Sequence, residues 1–211
     1  MYNLIFDCDG VLVDSEHLSC GAWLPVLARH GVKAEIAEIE TMIGKSDRAV
    51  LDHFSAKTGI DFPPEILAER QQEYFRQAAA NLETFPGLPQ LLADLADIPR
   101  AVASSGHPDK IRFSLARVGL DRHFDILCSA VEVAAGKPAP DLFLLAAERL
   151  GADPQYCAVV EDSIFGIEAA RRAGMRAIGF TSSHPASDLH TAGADVTFAH
   201  YADFLALYAA L

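Results

Sequence analysis

Acidic, hydroxyl and lysine side chains follow short apolar segments at four places in this sequence. Asp7 and Asp9 come directly after the apolar segment Leu4–Phe6, and strand alternation would point both carboxylates to the same side. Two carboxylates this close repel each other, and a divalent cation or a shared proton relieves the repulsion. A solvated aspartate pair in a turn is the alternative, because Asp-Gly is a common turn sequence.

The other three groups suit the binding of phosphate and of a cation. Ser104 and Ser105 could cradle a phosphate with hydroxyl and backbone N–H groups, or they could form an ordinary loop. Lys137, followed closely by two prolines, presents an ammonium that suits phosphate capture, or it simply precedes a helix. Glu161 and Asp162 offer the hard oxygen ligands that Mg²⁺ prefers, although a helix N-terminus also favours acidic residues. The shared position after apolar segments predicts that the four groups form one site.

A parallel sheet would bring these groups together. Short apolar runs predict buried strands at Leu4–Phe6, Ala101–Ala103, Ile126–Cys128, Ala158–Val160, Ala177–Phe180 and Val196–Phe198. Helical patterns lie between them at Pro108–Val118, from Pro140 to near Gly151, and at Ser163–Ala173. This alternation is typical of a doubly wound α/β fold, in which ligands bind beyond the carboxyl ends of the strands.

The segment 15–82 breaks the alternation and predicts an all-helical insert after the first strand. Its helices are expected at Leu18–Arg29, Ser46–Lys57 and Pro64–Ala80, and Pro25 is expected to kink or split the first. Residues 1–14 and 83–211 would then form the α/β core, with residues 15–82 as a separate helical domain.

The net charge, the N-terminal sequence and the cysteines indicate which partners and which cellular location to expect. The net charge of −12 argues against nucleic acid and anionic membranes, because both require a basic face. We find no signal peptide and no apolar stretch of membrane-spanning length, so we expect a cytoplasmic protein. We also expect a monomer. The four cysteines lack metal-ligand spacing, and three of them lie in or beside apolar runs, which predicts free buried thiols.

The four groups together resemble the motifs of the haloacid dehalogenase-like (HAD) superfamily, in its β-phosphoglucomutase-like branch. The resemblance implies a Rossmann-like core with a small helical cap, and Mg²⁺ as the cofactor. It implies that Asp7 is a nucleophile that forms an aspartyl-phosphate and that Asp9 is the general acid and base. The matching segments are Asp7–Ser15, Ala101–Ser105, Gly136–Asp141 and Val160–Ser163.

The same resemblance assigns the binding residues. Ser104, with Ser105, and Lys137 would bind phosphate, and Asp162, assisted by Glu161, would bind the metal. Asp7 and the backbone carbonyl of Asp9 would complete the protein's share of the metal ligands. The expected activity is hydrolysis of a phosphorylated sugar or sugar acid, most like a bacterial 6-phosphogluconate phosphatase. The candidate residues for recognition of the leaving group are Glu16, His17, Lys45, Arg48 and His107.

Other activities of the superfamily remain as alternatives. Asp9 argues against dehalogenases and phosphonatases, which lack an acid there, although Lys45 keeps a phosphonatase open. A β-phosphoglucomutase is the main alternative, but Gly106 and His107 replace its Ser-Lys pair and Ser19 replaces its hinge histidine. A module that only binds a phosphometabolite is the non-enzymatic alternative.

Overall fold

Six parallel strands place the sequence motifs at one edge of a sheet. The computed structural model describes residues 1–42 and 47–211. In them the strands are arranged in the order β3-β2-β1-β4-β5-β6. They are β1 (Asn3–Phe6), β2 (Arg100–Ser104), β3 (Ile126–Ser129), β4 (Cys157–Glu161), β5 (Arg176–Phe180) and β6 (Val196–Phe198). Because β1 pairs with both β2 and β4, the carboxyl ends of these three strands are neighbours, and the predicted doubly wound sheet is confirmed.

The chain divides into two compact units, one of residues 1–14 and 83–211 and one of residues 15–82. The smaller unit contains α1 (Glu16–Gly21), α2 (Trp23–Arg29), α3 (Ile36–Glu40), α4 (Asp47–Thr58) and α5 (Ile66–Asn81). The larger unit contains the sheet with α6 (Leu88–Asp94), α7 (Pro108–Arg117), α8 (Asp141–Leu150), α9 (Ile164–Arg172), α10 (Ala186–Ala192) and α11 (Phe204–Ala209).

The sheet is held by apolar side chains that are removed from water. Ile5 and Val159 on neighbouring strands are fully buried and belong to one cluster with Phe143 of α8. Each such side chain contributes about 2 kcal/mol by its burial. This packing fixes the strands, and with them the positions of the polar residues that follow each strand.

The smaller unit has its own apolar core, which contains Trp23, Phe54 and Ile66. The single helix expected at Leu18–Arg29 is two helices, α1 and α2, which meet at Ala22. Pro25 is the third residue of α2, where no intrahelical bond needs its missing N–H. Of the two expected effects of Pro25, the structure shows a split into two helices. The proline lies in the first turn of the second helix.

The cysteines and the lengths of the helices test two further expectations from the sequence. Cys8, Cys20, Cys128 and Cys157 are free and buried, which confirms the prediction for Cys8, Cys128 and Cys157, the three beside apolar runs. None of the helices in the described part of the chain combines the length and apolar character needed to cross a bilayer.

Candidate active site

Asp7 and Asp9 lie in a tight loop that follows β1. The Gly10 N–H donates to the Val13 carbonyl at 2.9 Å, which closes the loop. Gly10 has a φ of +75°, and a Cβ atom there would stand 2.0 Å from Oδ2 of Asp162. Only glycine allows this conformation and this close approach, so Gly10 brings the first and fourth motifs together.

Lys137 links Asp7 to Glu161. Its Nζ donates to Oδ1 of Asp7 and to Oε1 of Glu161, each at 2.6 Å. The side chains of Lys137, Asp7 and Glu161 are 7%, 10% and 1% exposed. Both carboxylates are thus paired with one ammonium in a space that water barely reaches, where charge interactions are strong.

Burial and pairing shift the pKa values of this pair. Burial raises the pKa of Asp7, and the Lys137 ammonium only partly opposes that rise. Burial alone would lower the pKa of Lys137, but the carboxylates of Asp7 and Glu161 raise it above its usual value. Lys137 therefore stays positively charged, and Asp7 is a carboxylate that gains stability from additional positive charge.

Glu161 also organises its own loop. Its Oε2 accepts hydrogen bonds from the backbone N–H groups of Asp162 at 3.0 Å and Ser163 at 2.9 Å. The Ser163 hydroxyl donates to the same oxygen, and it caps α9 by accepting from the Gly166 N–H at 3.0 Å. One carboxylate thus orients both Lys137 and the start of α9.

Gly166 is required because the Glu161 side chain lies against its Cα. A Cβ atom at this position would stand 1.9 Å from Cδ and Oε1 of Glu161. We expect Gly166→Ala to lower the free energy of unfolding by about 2 kcal/mol, since overpacking outweighs the gain in helix propensity. Gly136→Ala is the matched control, because its Cβ would only reach 4.0 Å from Ala130. Urea denaturation of both variants tests this, and equal midpoints would contradict it.

Three buried carboxylates form a set that fits a hard divalent cation. Oxygen atoms of Asp7, Glu161 and Asp162 lie within 4.8 Å of one another. Three carboxylates against the one ammonium of Lys137 leave an excess of two negative charges when all are ionised. A buried excess of charge is costly, and a divalent cation with oxygen ligands would remove it.

The loop after β5 holds Asp162, a contact that the motifs in the sequence did not predict. The Ser183 hydroxyl donates to Oδ2 of Asp162. The Ser182 hydroxyl donates to the Gly10 carbonyl at 2.5 Å, and its oxygen lies 3.5 Å from Oδ2 of Asp162. Nδ1 of His184 lies 3.0 Å from the Asp162 carbonyl. The available signal was the same as for the other motifs, since these polar residues follow a predicted strand.

A second lysine was also missed, and it contacts Asp9. The Lys110 Nζ lies 2.9 Å from each carboxylate oxygen of Asp9. Lys110 is in the first turn of α7, directly after the loop that contains Ser105 and follows Ser104, the last residue of β2. A lysine one turn beyond a candidate phosphate loop was the available signal.

The predicted phosphate loop begins beside Lys137, whose Nζ donates to the Ala103 carbonyl at 3.3 Å. Ser104 is buried, and its hydroxyl oxygen accepts from the Gly106 N–H at 3.1 Å, which leaves the hydroxyl proton for another acceptor. Ser105 is exposed. His107 is the N-cap of α7, where its ring nitrogen accepts from the Asp109 N–H at 3.5 Å. The role predicted for His107 in recognition stays a prediction.

The remaining specificity candidates belong to the helical unit. Glu16 and His17 are in the first turn of α1, and His17 is exposed. Arg48 is exposed on α4 and pairs with Asp52 at 2.9 Å. Lys45 lies outside the described residues. The predicted roles of these residues in recognition stay predictions.

Comparison with known proteins gives matches along most of the chain. Residues 3–174 match the family model described as haloacid dehalogenase-like hydrolase. A fructose-1-phosphate phosphatase of Escherichia coli is 34% identical over 176 residues, 83% of this chain and 94% of that protein. A validoxylamine A 7'-phosphate phosphatase of Streptomyces hygroscopicus is 33% identical over 200 residues, 93% of this chain and 92% of that protein. A Thermotoga maritima structure named as a candidate β-phosphoglucomutase superposes with a TM-score of 0.86, at 28% identity and full coverage of both chains.

Proposed function

The chain belongs to the haloacid dehalogenase-like hydrolase family, and on that premise we propose that it hydrolyses the phosphate ester of a small sugar or sugar acid. The family match confirms the resemblance carried by the four motifs, and the Thermotoga structure agrees with the β-phosphoglucomutase-like branch. The observation that carries the proposal is the Asp7 carboxylate, placed after β1, paired with Lys137 and surrounded by acidic residues.

In the first half-reaction, a carboxylate oxygen of Asp7 attacks phosphorus and the bond to the leaving oxygen breaks. The enzyme then carries an aspartyl-phosphate, and Asp9 gives its proton to the departing alkoxide. Asp9 suits this role because it lies two residues from Asp7 in the same loop. Splitting hydrolysis into two displacements lowers the barrier of each step.

In the second half-reaction, Asp9 takes a proton from water, and the resulting hydroxide attacks the same phosphorus. The bond to Asp7 breaks, inorganic phosphate leaves, and Asp9 holds the proton for the next cycle. One carboxyl group thus acts as acid and then as base, and such proton transfers contribute about 10²–10⁴-fold to rates.

Binding of the phosphate falls to groups that carry positive charge or donate hydrogen bonds. The Lys137 ammonium offsets the repulsion between the Asp7 carboxylate and a phosphate dianion, and it stabilises the charge of the transition state. The Ser104 hydroxyl, with Ser105, donates to phosphate oxygens. Asp7, Asp162 and the Asp9 carbonyl, with Glu161 assisting, would hold Mg²⁺, which when bound supplies Lewis-acid stabilisation of the same charge.

The substrate class is inferred from the relatives. The Escherichia coli and Streptomyces proteins are named for phosphatase activity on fructose 1-phosphate and on validoxylamine A 7'-phosphate. We therefore propose a phosphorylated sugar or sugar acid for this chain. We also propose that the helical unit serves as a cap that selects the leaving group, and that the protein is a cytoplasmic monomer.

A phosphosugar mutase is the second candidate, favoured by the likeness to the Thermotoga structure. Against it, Ser19 stands where the mutases of this branch have their hinge histidine. Its hydroxyl accepts a hydrogen bond from Arg70 at 2.6 Å, so it is engaged within the helical unit. Conversion of β-glucose 1-phosphate to glucose 6-phosphate without phosphate release would establish the mutase.

The proposed activity predicts metal-dependent phosphate release. We expect the purified protein to hydrolyse 4-nitrophenyl phosphate with Mg²⁺, and removal of the metal with EDTA to lower the rate at least about 100-fold. Renewed Mg²⁺ should restore the rate. A panel that includes fructose 1-phosphate, 6-phosphogluconate and hexose 6-phosphates then ranks substrates by kcat/KM. A protein that is folded, loaded with Mg²⁺ and inactive on the whole panel would contradict the proposal.

A further inference from the structure

Lys110 contacts both oxygens of the Asp9 carboxyl group. Its Nζ lies 2.9 Å from each oxygen, and the side chains of Lys110 and Asp9 are only 18% and 23% exposed. Because partial burial reduces solvent screening, this ion pair constrains the carboxyl group more than a surface pair would. A group outside the Asp9 loop therefore contacts both oxygens of its carboxyl group.

The position of Lys110 is itself fixed by the fold. It lies in the first turn of α7, whose Ile111 and Leu115 are 2% and 1% exposed. The helix follows β2, and β2 pairs with β1, the strand that leads to Asp9. A helix with one buried face, which follows an adjacent strand, thus places the ammonium beside the carboxyl group by rigid elements, which hold a site more precisely than loops do.

We propose that Lys110 is a positioning residue, which holds the Asp9 carboxyl group in the orientation that serves proton transfer to the leaving oxygen and from water. This inference rests on the proposed function, which gives Asp9 that role. A carboxyl group has two oxygens, so when one carries the proton the other still accepts from the ammonium. The same contact can therefore orient Asp9 in both half-reactions.

The test is the dependence of kcat/KM on the leaving group, measured with a series of aryl phosphates from 4-nitrophenyl to phenyl phosphate. Along this series the leaving oxygen becomes more basic and depends more on a donated proton. Since misplacement of a catalytic group by 1 Å costs up to about 100-fold, we expect Lys110→Met to lower kcat/KM for phenyl phosphate about 30-fold. For 4-nitrophenyl phosphate we expect a loss of less than about threefold, because its leaving group needs little protonation.

Conservative replacement should rescue the variant. We expect Lys110→Arg to restore the phenyl phosphate rate to within about threefold, since a guanidinium also donates to both carboxylate oxygens. Arg112→Met is the matched control on the same helix, because the Arg112 side chain is 66% exposed and its pairing distance to Asp109 is 4.0 Å. It should leave the ratio of the two rates unchanged. Lys110→Gln is the second neutral variant if Lys110→Met does not fold.

Two results separate this inference from the function on which it rests. Asp9→Asn should show the same dependence on the leaving group, and its failure to do so would overturn both the acid role of Asp9 and the inference. Suppose instead that Asp9→Asn shows this dependence on the leaving group. The inference alone is then overturned if the neutral Lys110 variants lose kcat/KM equally for phenyl phosphate and 4-nitrophenyl phosphate, or lose it for neither. Equal losses would place Lys110 on the phosphate or the fold instead.

Discussion

Asp7→Asn is expected to lower phosphate release from 4-nitrophenyl phosphate by about 10⁴-fold or more, as removal of a covalent nucleophile does. The neutral amide oxygen of asparagine is a poor nucleophile and forms no acyl phosphate that water can hydrolyse. The fold should persist, because asparagine has the same shape and can still accept from Lys137. Since burial raises the pKa of Asp7, removal of this charge should not lower the thermal midpoint of the metal-free protein.

Covalent trapping gives a second measurement of the same prediction. Acid quenching of the wild type during turnover should preserve a phosphorylated chain that intact-mass spectrometry detects, and Asp7→Asn should give none. Asp14→Asn is the matched control, because Asp14 is exposed and lies seven residues further along the same segment. Wild-type activity in a folded Asp7→Asn variant would contradict the assignment of the nucleophile.

The sheet and the four strand ends could be predicted from the sequence because the signals are local. A short, continuous apolar run such as Val159 and its neighbours is typical of a buried strand in a parallel sheet. Once the strands are parallel, their carboxyl ends share one edge, and residues such as Asp7 and Asp162 lie along that edge. The pattern therefore predicted which residues share the edge without any knowledge of the strand order.

The contacts between those residues could not be predicted, because they depend on the strand order and on single side-chain directions. Lys110 and Asp9 are 101 positions apart in the sequence. They come together only because β1 and β2 are neighbours and because Lys110 lies on the side of α7 that faces Asp9. In the same way, Ser183 reaches Asp162 because β5 happens to neighbour β4. Short sequence patterns carry no information about such pairings.

The short helices α3, α6, α10 and α11 were also missed, for a different reason. Each has five to seven residues, so an apolar stripe can repeat only once and its period is not resolved.

The candidate residues for substrate recognition are also hard to identify from the sequence. An exposed arginine such as Arg48, paired with Asp52 one turn away, has the sequence pattern of any solvated helix face.

Lys137→Met should affect both rate and stability. We expect phosphate release to fall about 10³-fold, because the phosphate loses the ammonium that neutralises it in a dry site. We also expect the free energy of unfolding in EDTA to fall by about 3 kcal/mol, because Asp7 and Glu161 remain buried without their counterion. Lys57→Met is the matched control. Lys57 also pairs with a glutamate at 2.6 Å, but its side chain is 50% exposed, so neither quantity should change measurably.

The double variant Lys137→Met/Glu161→Gln separates the two effects of Lys137. Glu161→Gln removes one of the two charges left unpaired, so part of the lost stability should return in urea denaturation. The rate should not return with it, because a phosphate bound beside Asp7 would still lack the ammonium. Recovery of the rate together with stability would show that Lys137 acts only by holding the acidic cluster together. If Glu161→Gln alone keeps most of the wild-type rate at saturating Mg²⁺, a double variant that stays slow would show that the ammonium acts on the reaction and not only on the acidic cluster, in keeping with its contact to Asp7.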